Sequence, residues 1–496
     1  MSAIKLDRSF DEFGDFQTPL SLATAVCRFL ASRGLRPATI VEPTCGLGHF
    51  LHAALDCFPA SLCSGSEINA DYAERANAAF LSRAASCRVE CESFFDVNWP
   101  ERLRQSAEPV LVLGNPPWVT NSQLGTIGSN NLPKKSNFQN HVGLDAMTGK
   151  SNFDISEWML IRLLDALAGR RGWLAMLCKT AVARKVLQHA WNGGVGLEWA
   201  EIRLIDAKQS FGASVDACLL ICETSTHAKS VDCPVFNSLD AQSASNTLGN
   251  RDGRLITNVT AYEHWKHLAG EGPYQWRSGI KHDCSKVMEL KKEPNGFRNG
   301  YGEFVELETD YLFPMLKSSD VANECTTNIG RWMLVPQRTT GQDTGSINTM
   351  APKTWDHLQR HGEAMDRRGS SIYRNRPRFS VFGVGDYAFS PWKVAISGFY
   401  KKLQFSVVGP AEGKPVVFDD TVYFTSCATE DEALYLASLL NSRESKEFFS
   451  AFISWDAKRP ITVDLLRNLD LSALARELKV EHLWPKSRKS LFDDVA

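Results

Sequence analysis

The run LVLGNPPWVTN, Leu111 to Asn121, carries an apolar stretch straight into Asn115-Pro116-Pro117-Trp118. Consecutive prolines fix their own φ and remove backbone donors, so neither a helix nor a central strand continues through them. Such a turn can hold two acceptors still. The side-chain oxygen of Asn115 and the carbonyl of Pro116 can each accept one hydrogen of an exocyclic amino group, which localises the nitrogen lone pair and aims it at an electrophile. Trp118 adds a flat face on which a flipped base would stack. These four residues are the candidate catalytic group, and a structural Pro-Pro turn with a core tryptophan is the plainer alternative.

Upstream, IVEPTCGLGHF places Glu42 at a strand end, then Pro43, Thr44 and Cys45, a turn with Gly46 and Gly48, and a helix from about His49. Glycines let backbone amides approach a ligand, and a helix N-terminus favours a carboxylate or phosphate. This stretch alone is equally compatible with a structural turn or a nicotinamide-binding loop. Glu67, in LCSGSEINADYA, follows the glycines by about 20 residues, where doubly wound folds place an acid on ribose hydroxyls. That favours an adenosine-containing cofactor. The next strand end, CESFFDVNWP, offers Phe94 or Phe95 to stack on an adenine.

The elements that must position these residues alternate. From about 18 to 223, apolar runs (ATIVEP, SLCSGSEI, PVLVLGN, GWLAML, WAEIRLI, ACLLICE) interleave with helix-like stretches such as SLATAVCRFLASRG and ISEWMLIRLLDALAG. This is the pattern of βαβ units feeding a mostly parallel sheet, hence an α/β, Rossmann-like first domain over 1–223. With PVLVLG as fourth strand, Asn115 to Trp118 falls in the crevice at the carboxyl ends of the strands, where open α/β sheets bind ligands. Residues 224–256 are rich in Ser, Asn, Asp and Gly and read as a linker or surface excursion. Residues 257–496 mix strand-like runs (RWMLVP, FSVFGVG, KVAISGF, QFSVV, DTVYFTS) with a few helices, notably DEALYLASLLNSRESKEFFSAF, and form a second, mixed α+β domain.

Composition bounds the function. The 496 residues are 43% hydrophobic, enough to bury two cores, and the formal net charge of -2 places any nucleic-acid surface locally rather than globally. No apolar run approaches the roughly 20 residues that span a bilayer. MSAIKLDRSFDEF lacks the pattern of a secretory signal, so a cytoplasmic protein without membrane partners is expected. The 13 cysteines contain no CxxC pair, and Cys27, Cys57, Cys178, Cys218 and Cys222 lie in apolar runs, which suits reduced core thiols. No metal site is expected.

The series Phe16-Gln17-Thr18-Pro19, Val41 to Phe50, Gly65-Ser66-Glu67-Ile68 and Asn115-Pro116-Pro117-Trp118 resembles the γ-class, TaqI-like adenine-N6 DNA methyltransferases of restriction–modification systems. The order of motifs matches across the chain. The resemblance implies S-adenosyl-L-methionine held by Thr18 and Pro19, by the loop of Glu42, Pro43, Thr44, Cys45, Gly46 and Gly48, by Glu67, and by Phe94 against the adenine. It implies that Phe211, in QSFGASVDACLLI, packs with Trp118 on the extruded base. It also implies a C-terminal target-recognition domain for double-stranded DNA, and a separate cognate restriction endonuclease. The third motif departs from the usual Asp-Phe-Phe: Ser93-Phe94-Phe95 stands there, so Ser93 or Asp96 would contact the cofactor's amino group. Methylation of another planar nitrogen, an RNA base or a protein glutamine amide, is the alternative, since the catalytic tetrapeptide serves those chemistries too.

For DNA contact, Arg367 to Lys402 holds eight cations (Arg367, Arg368, Arg374, Arg376, Arg378, Lys393, Lys401, Lys402) against the single acid Asp386, interleaved with aromatics. Such a surplus suits phosphate tracking and base reading, with Arg374, Arg376 and Arg378 the leading candidates. Lys134 and Lys135 lie in the Gly-, Asn- and Lys-rich segment from Val119 to Lys150, a candidate DNA-ordered lid.

Overall fold

The computed structural model describes residues 17–83, 85–119, 154–227, 229–327 and 329–484. Lys134, Lys135 and the rest of the expected lid beyond Val119 lie outside the described residues. The chain divides into two compact units, Met1–Val259 and Thr260–Ala496.

In the first unit, helix α1 (Leu20–Ser32) leads into β1 (Thr39–Glu42), α2 (His49–Cys57), β2 (Leu62–Glu67), α3 (Ala70–Ala79), β3 (Cys87–Cys91), α4 (Trp99–Gln105) and β4 (Val110–Gly114). After residue 153 follow α5 (Ile155–Leu167), β5 (Gly172–Lys179), α6 (Thr180–Gly193), β6 (Leu197–Ile205), α7 (Ala207–Phe211) and β7 (Ala217–Thr224). Three more strands complete the sheet: β8 (Asp232–Phe236), β9 (Asn246–Arg251) and β10 (Arg254–Ile256). The strand order is β10-β9-β8-β6-β7-β5-β4-β1-β2-β3. Strands β3, β2, β1, β4 and β5 run parallel, and β7 lies antiparallel between β5 and β6.

Parallel strands such as β4 are apolar at nearly every position because helices cover both faces of the sheet. Along β4, Val110 and Val112 pack with Leu160, Leu163 and Leu164 of α5, while Leu111 and Leu113 pack on the other face with Val26 and Leu30 of α1 and Phe50 of α2. The chain winds outward from β1 to β3, then crosses back to place β4 on the other side of β1. The turns after β1 and β4 therefore flank one crevice at the carboxyl ends of the strands.

Residues 224–256, expected as a linker or surface excursion, carry β8, β9 and β10, which extend this sheet. Cys233, Leu248 and Ile256 are buried. Arg203 of β6 is 4% exposed, lies between the rings of Phe29 and Phe236, and donates to the carbonyls of Leu239 and Ala241, both at 2.8 Å. Polar composition here marks a sheet edge rather than a tether. A local signal was present in Asp252-Gly253, whose positive φ values (53° and 77°) make the tight β9–β10 hairpin.

The second unit contains a four-stranded sheet, β11-β20-β17-β18, built from Arg277–Ser278, Val422–Cys427, Trp392–Ser397 and Ser406–Val408. A six-stranded sheet, β14-β13-β12-β16-β15-β19, is built from Phe304–Val305, Gly296–Arg298, Glu289–Glu293, Arg331–Leu334, Leu312–Leu316 and Val417–Phe418. FSVFGVG is not a strand, contributing only an isolated bridge from Phe382 to Lys281. Phe379 and Gly383 have left-handed φ values (69° and 77°) that no extended strand accommodates. The long helix expected over DEALYLASLLNSRESKEFFSAF breaks into Glu430–Leu440 and Arg443–Ser450, because Ser442 caps the second helix and the Asn441 side chain pairs with the backbone of Phe405.

Candidate active site

Gln17 to Pro19 ties the turns after β1 and β4 together. The Asn115 Nδ2 donates to the Thr18 hydroxyl at 3.2 Å, which turns the amide oxygen away from Thr18. The Thr18 carbonyl accepts from His49 Nδ1 at 2.7 Å, and Gln17 Oε1 accepts from the Leu47 amide at 3.2 Å. Residues 97 positions apart thus fix the Asn115 amide against the glycine loop. Gln17 and His49 were not among the candidate site residues, although both lie inside the Phe16–Pro19 and Val41–Phe50 motifs.

The glycines are needed where they stand. Gly46 (φ 53°) and Gly48 (φ 79°) adopt left-handed conformations, and a Cβ on Gly46 would sit 2.6 Å from Gln17 Oε1. Gly48 is the N-cap of α2, so amide dipoles converge on the loop. At the end of β4, Gly114 (φ 153°) passes the Glu42 side chain so closely that a Cβ would lie 3.3 Å from Glu42 Cγ.

Glu42 is 3% exposed, and its Oε2, like the Thr44 hydroxyl, is buried with no hydrogen-bond partner among the described residues. Burial, reinforced by the Glu67 charge, pushes the Glu42 carboxyl well above its ordinary range. Pro43 is buried beside it, and the Cys45 amide donates to the Ser66 carbonyl at 2.9 Å, fastening the loop to β2. Burial, with Glu42 and Glu67 nearby, also raises the Cys45 thiol, so it stays protonated. Glu67 accepts from the amides of Gly46 at 2.7 Å and Asn69 at 2.8 Å, so its carboxylate shapes the glycine turn.

After β3, Ser93 Oγ accepts from the Phe95 amide at 3.3 Å. Phe94 is 5% exposed, and its ring packs on Trp99 at 4.9 Å and Trp158 at 6.1 Å. Its neighbour Phe95 is half-buried, and Ile68, directly after Glu67, is 40% exposed. These two present more apolar surface at the strand ends than Phe94 does.

Trp118 is 8% exposed and stands near-perpendicular to Phe211, with ring centroids 5.2 Å apart and an interplanar angle of 70°. Its indole N–H donates to the Leu177 carbonyl at 3.4 Å. Phe211 ends α7, which Asp206 caps and the left-handed Gly212 closes. The structure therefore gathers Thr18, Glu42, Gly46, Asn115, Trp118 and Phe211 around the strand ends of one unit.

The arginines of the second unit scatter. Arg374, Arg376 and Arg378 lie at or near the surface, but Arg378 pairs with Asp366 at 2.8 Å and with Gln359 at 2.9 Å. Arg376 lies over the Phe382 ring. Two other expected members of the basic surface point inward. Arg368 donates to the carbonyls of Met365, His282 and Ser380 and stacks on Tyr373. Lys393, 1% exposed, donates to the carbonyls of Ser390 and Val416, and burial pushes its pKa down to about 7.

No protein-family model matches the sequence. It is 46% identical over 469 residues, 94% of this chain and 97% of the relative, to the Type II methyltransferase M.NspV of a Nostoc species. Among solved structures, the Type IIL restriction-modification enzyme MmeI in complex with DNA is similar at 13% identity, with 84% of this chain and 60% of that one covered and a TM-score of 0.46. A putative class I S-adenosylmethionine-dependent methyltransferase of Listeria monocytogenes is similar at 13% identity, covering 46% and 68%, with a TM-score of 0.31. Both structural likenesses are too distant to bear on function.

The methyl donor of a methyltransferase of this kind is S-adenosyl-L-methionine, and the residues present fit it. Two buried polar atoms, on Glu42 and Thr44, await hydrogen-bond partners beside the left-handed Gly46–Gly48 turn. Sequence and fold agree: the chain belongs to the Type II methyltransferases, DNA methyltransferases of restriction–modification systems.

Proposed function

We propose that this chain transfers a methyl group to the N6 amino group of an adenine that has been rotated out of duplex DNA, protecting a site that a separate cognate endonuclease would cut. The observation that carries the reading is the joining of Asn115 and Trp118 in one rigid turn, with the Asn115 amide oriented by Thr18 and Trp118 set against Phe211. Asn115 and the Pro116 carbonyl offer two acceptors to one NH2 group, whose lone pair would otherwise be delocalised into the ring. The near-perpendicular Trp118 and Phe211 suit a planar base, and extrusion would cost a few kcal/mol of lost stacking. Bound S-adenosyl-L-methionine supplies the electrophilic methyl. Glu42 and Thr44, beside the Gly46–Gly48 turn, are the groups to hold it, and Ile68 and Phe95 can flank its adenine. No strong base is required of the protein, because the amino nitrogen becomes acidic only once it is methylated.

The test is a product analysis. Duplex DNA, RNA and a host protein extract, each incubated with the enzyme and methyl-labelled cofactor, are digested to nucleosides or amino acids and resolved by mass spectrometry. Label in N6-methyldeoxyadenosine is the expected outcome. Label in a methylated cytosine would overturn the base assignment, and label in RNA or glutamine the substrate assignment.

A further inference from the structure

Lysine closes the otherwise apolar strand β5, in GWLAMLCK, and neither composition nor motif assigns it a task. In the structure Lys179 Nζ donates to the Trp118 carbonyl at 3.1 Å and to Asp154 Oδ2 at 2.6 Å. Both partners are themselves committed. Trp118 is held at its other end by the Leu177 carbonyl, two residues earlier on the same face of β5. Asp154 is the N-cap of α5, its Oδ1 accepting from the amide and hydroxyl of Ser156. Directly beside this contact, the Ile155 amide donates to the Val119 carbonyl at 2.9 Å. The Lys179 side chain is 25% exposed and that of Asp154 11%, so the pair is shielded but not sealed.

The geometry has a consequence for the catalytic turn. Its entrance is fixed by β4, where Gly114 pairs in register with Met176 of β5. Pro116 and Pro117 fix their own φ angles. What still has to be set is the exit, the peptide after Trp118, which steers the Trp118 ring and, through the prolines, the Pro116 carbonyl. Lys179 holds that exit by a charge-assisted hydrogen bond, and Asp154 holds Lys179.

We infer that Lys179 is a positioning residue for methyl transfer, and that the Asp154 carboxylate keeps its ammonium on the Trp118 carbonyl. The inference rests on the adenine-site reading above, since it gives Lys179 its effect through the Asn115, Pro116 and Trp118 groups. A displacement of about 1 Å in such a group costs on the order of a hundredfold in rate.

Single-turnover methylation of duplex DNA by the full-length protein tests it, with cofactor and DNA affinities measured in parallel. Lys179→Met is expected to slow the methyl-transfer step by about tenfold or more while both dissociation constants stay within about twofold, because the lost contact positions reacting groups rather than binding either partner. Lys179→Arg, which can still donate to carbonyl and carboxylate, is expected to recover most of the rate. Asp154→Asn keeps the Oδ1 acceptor that caps α5 but removes the charge facing Lys179, and should slow the step in the same direction. A wild-type rate in Lys179→Met overturns the inference. So does a loss that Arg fails to lift, or one matched by an equal loss of cofactor affinity, since either would make Lys179 a general support of the fold. An Asn115→Ala control tells the failures apart. If that variant is inactive and Lys179→Met is normal, only the positioning role falls; if Asn115→Ala is itself fully active, the adenine-site reading falls.

Discussion

The turn after β4 and the basic stretch from Arg367 to Lys402 were singled out on different grounds, and the molecule treats them differently. Around the turn, side chains scattered from Thr18 to Phe211 converge, because strand order leaves only one place for the turns after β1 and β4 to go. In the basic stretch, residues adjacent in sequence diverge. Arg368 and Lys393 point inward to backbone carbonyls, Arg367 and Arg378 pair with Glu363 and Asp366, and Arg374 and Arg376 are left at the surface. Topology thus carries positional information that a count of charges does not.

The largest effect should come from the convergent region. Asn115→Ala removes one of the two acceptors and is expected to slow methyl transfer by roughly a hundredfold or more, the scale of a lost transition-state contact. Cofactor affinity should change little, and equal single-turnover rates would dissolve the contrast with the basic stretch. Next comes Glu42→Gln. Hydrogen bonds to charged groups are worth about 1.5–3 kcal/mol, so cofactor affinity should fall by roughly 10- to 100-fold. The pH dependence sharpens this. Because burial raises the Glu42 carboxyl, ionising it costs stability, and cofactor-free wild type should lose stability as pH rises from the usual carboxylate range to the raised value. A cationic ligand favours the ionised form, so affinity should rise over that same window. Should the Glu42→Gln variant keep both trends, in calorimetry and thermal melts, Glu42 would be removed from the cofactor site.

How far the sequence could be read follows the same division. The alternation of apolar runs and helices was enough to place β1, β2 and β4 to β7, because the buried central strands are largely apolar and the helices between them amphipathic. The placement of Glu42, Gly46, Asn115 and Trp118 at the ends of β1 and β4 was legible because glycine and proline stop a strand. Lys179 was not, since a lysine closing an apolar strand ordinarily reads as a solvated end. The polar strands β8 and β9 escaped notice because the anchor that holds them to the sheet lies outside the segment, in β6, which pairs with β8 and whose Arg203 holds the β8–β9 connection. FSVFGVG failed as a strand because apolar content says nothing of the left-handed turns at Phe379 and Gly383. Phe94 was picked over Phe95 by motif position, whereas the packing of Trp99 decides which ring is covered.

A smaller effect belongs to Lys393. Its pKa is about 7 in the folded chain and about 10.4 when unfolded, so the unfolded state binds the extra proton between these values. Stability of the second unit should therefore rise as pH goes from about 7 to about 10, with melting temperature moving roughly 2–4 °C per kcal/mol gained. Lys393→Met should flatten that rise. A slope retained in the variant would show that other groups govern it.

The smallest effect is the most discriminating for DNA contact. Arg374 and Arg376 lie at the surface without an ion pair among the described residues, whereas Arg378 is neutralised by Asp366. If this surface tracks the phosphate backbone, Arg374→Ala and Arg376→Ala should each reduce the slope of log affinity against log salt by about 0.9 and weaken specific and non-specific duplexes alike. Arg378→Ala should change the slope by less, because Asp366 already offsets its charge, and Asp366→Asn should raise the slope by freeing it. A base-reading arginine would behave otherwise, leaving the slope almost unchanged and relaxing discrimination at one position by roughly 1–3 kcal/mol. Should all three alanine variants bind with wild-type affinity, slope and site preference while remaining folded, these arginines are a solvated face, and the DNA-reading surface lies elsewhere in the chain.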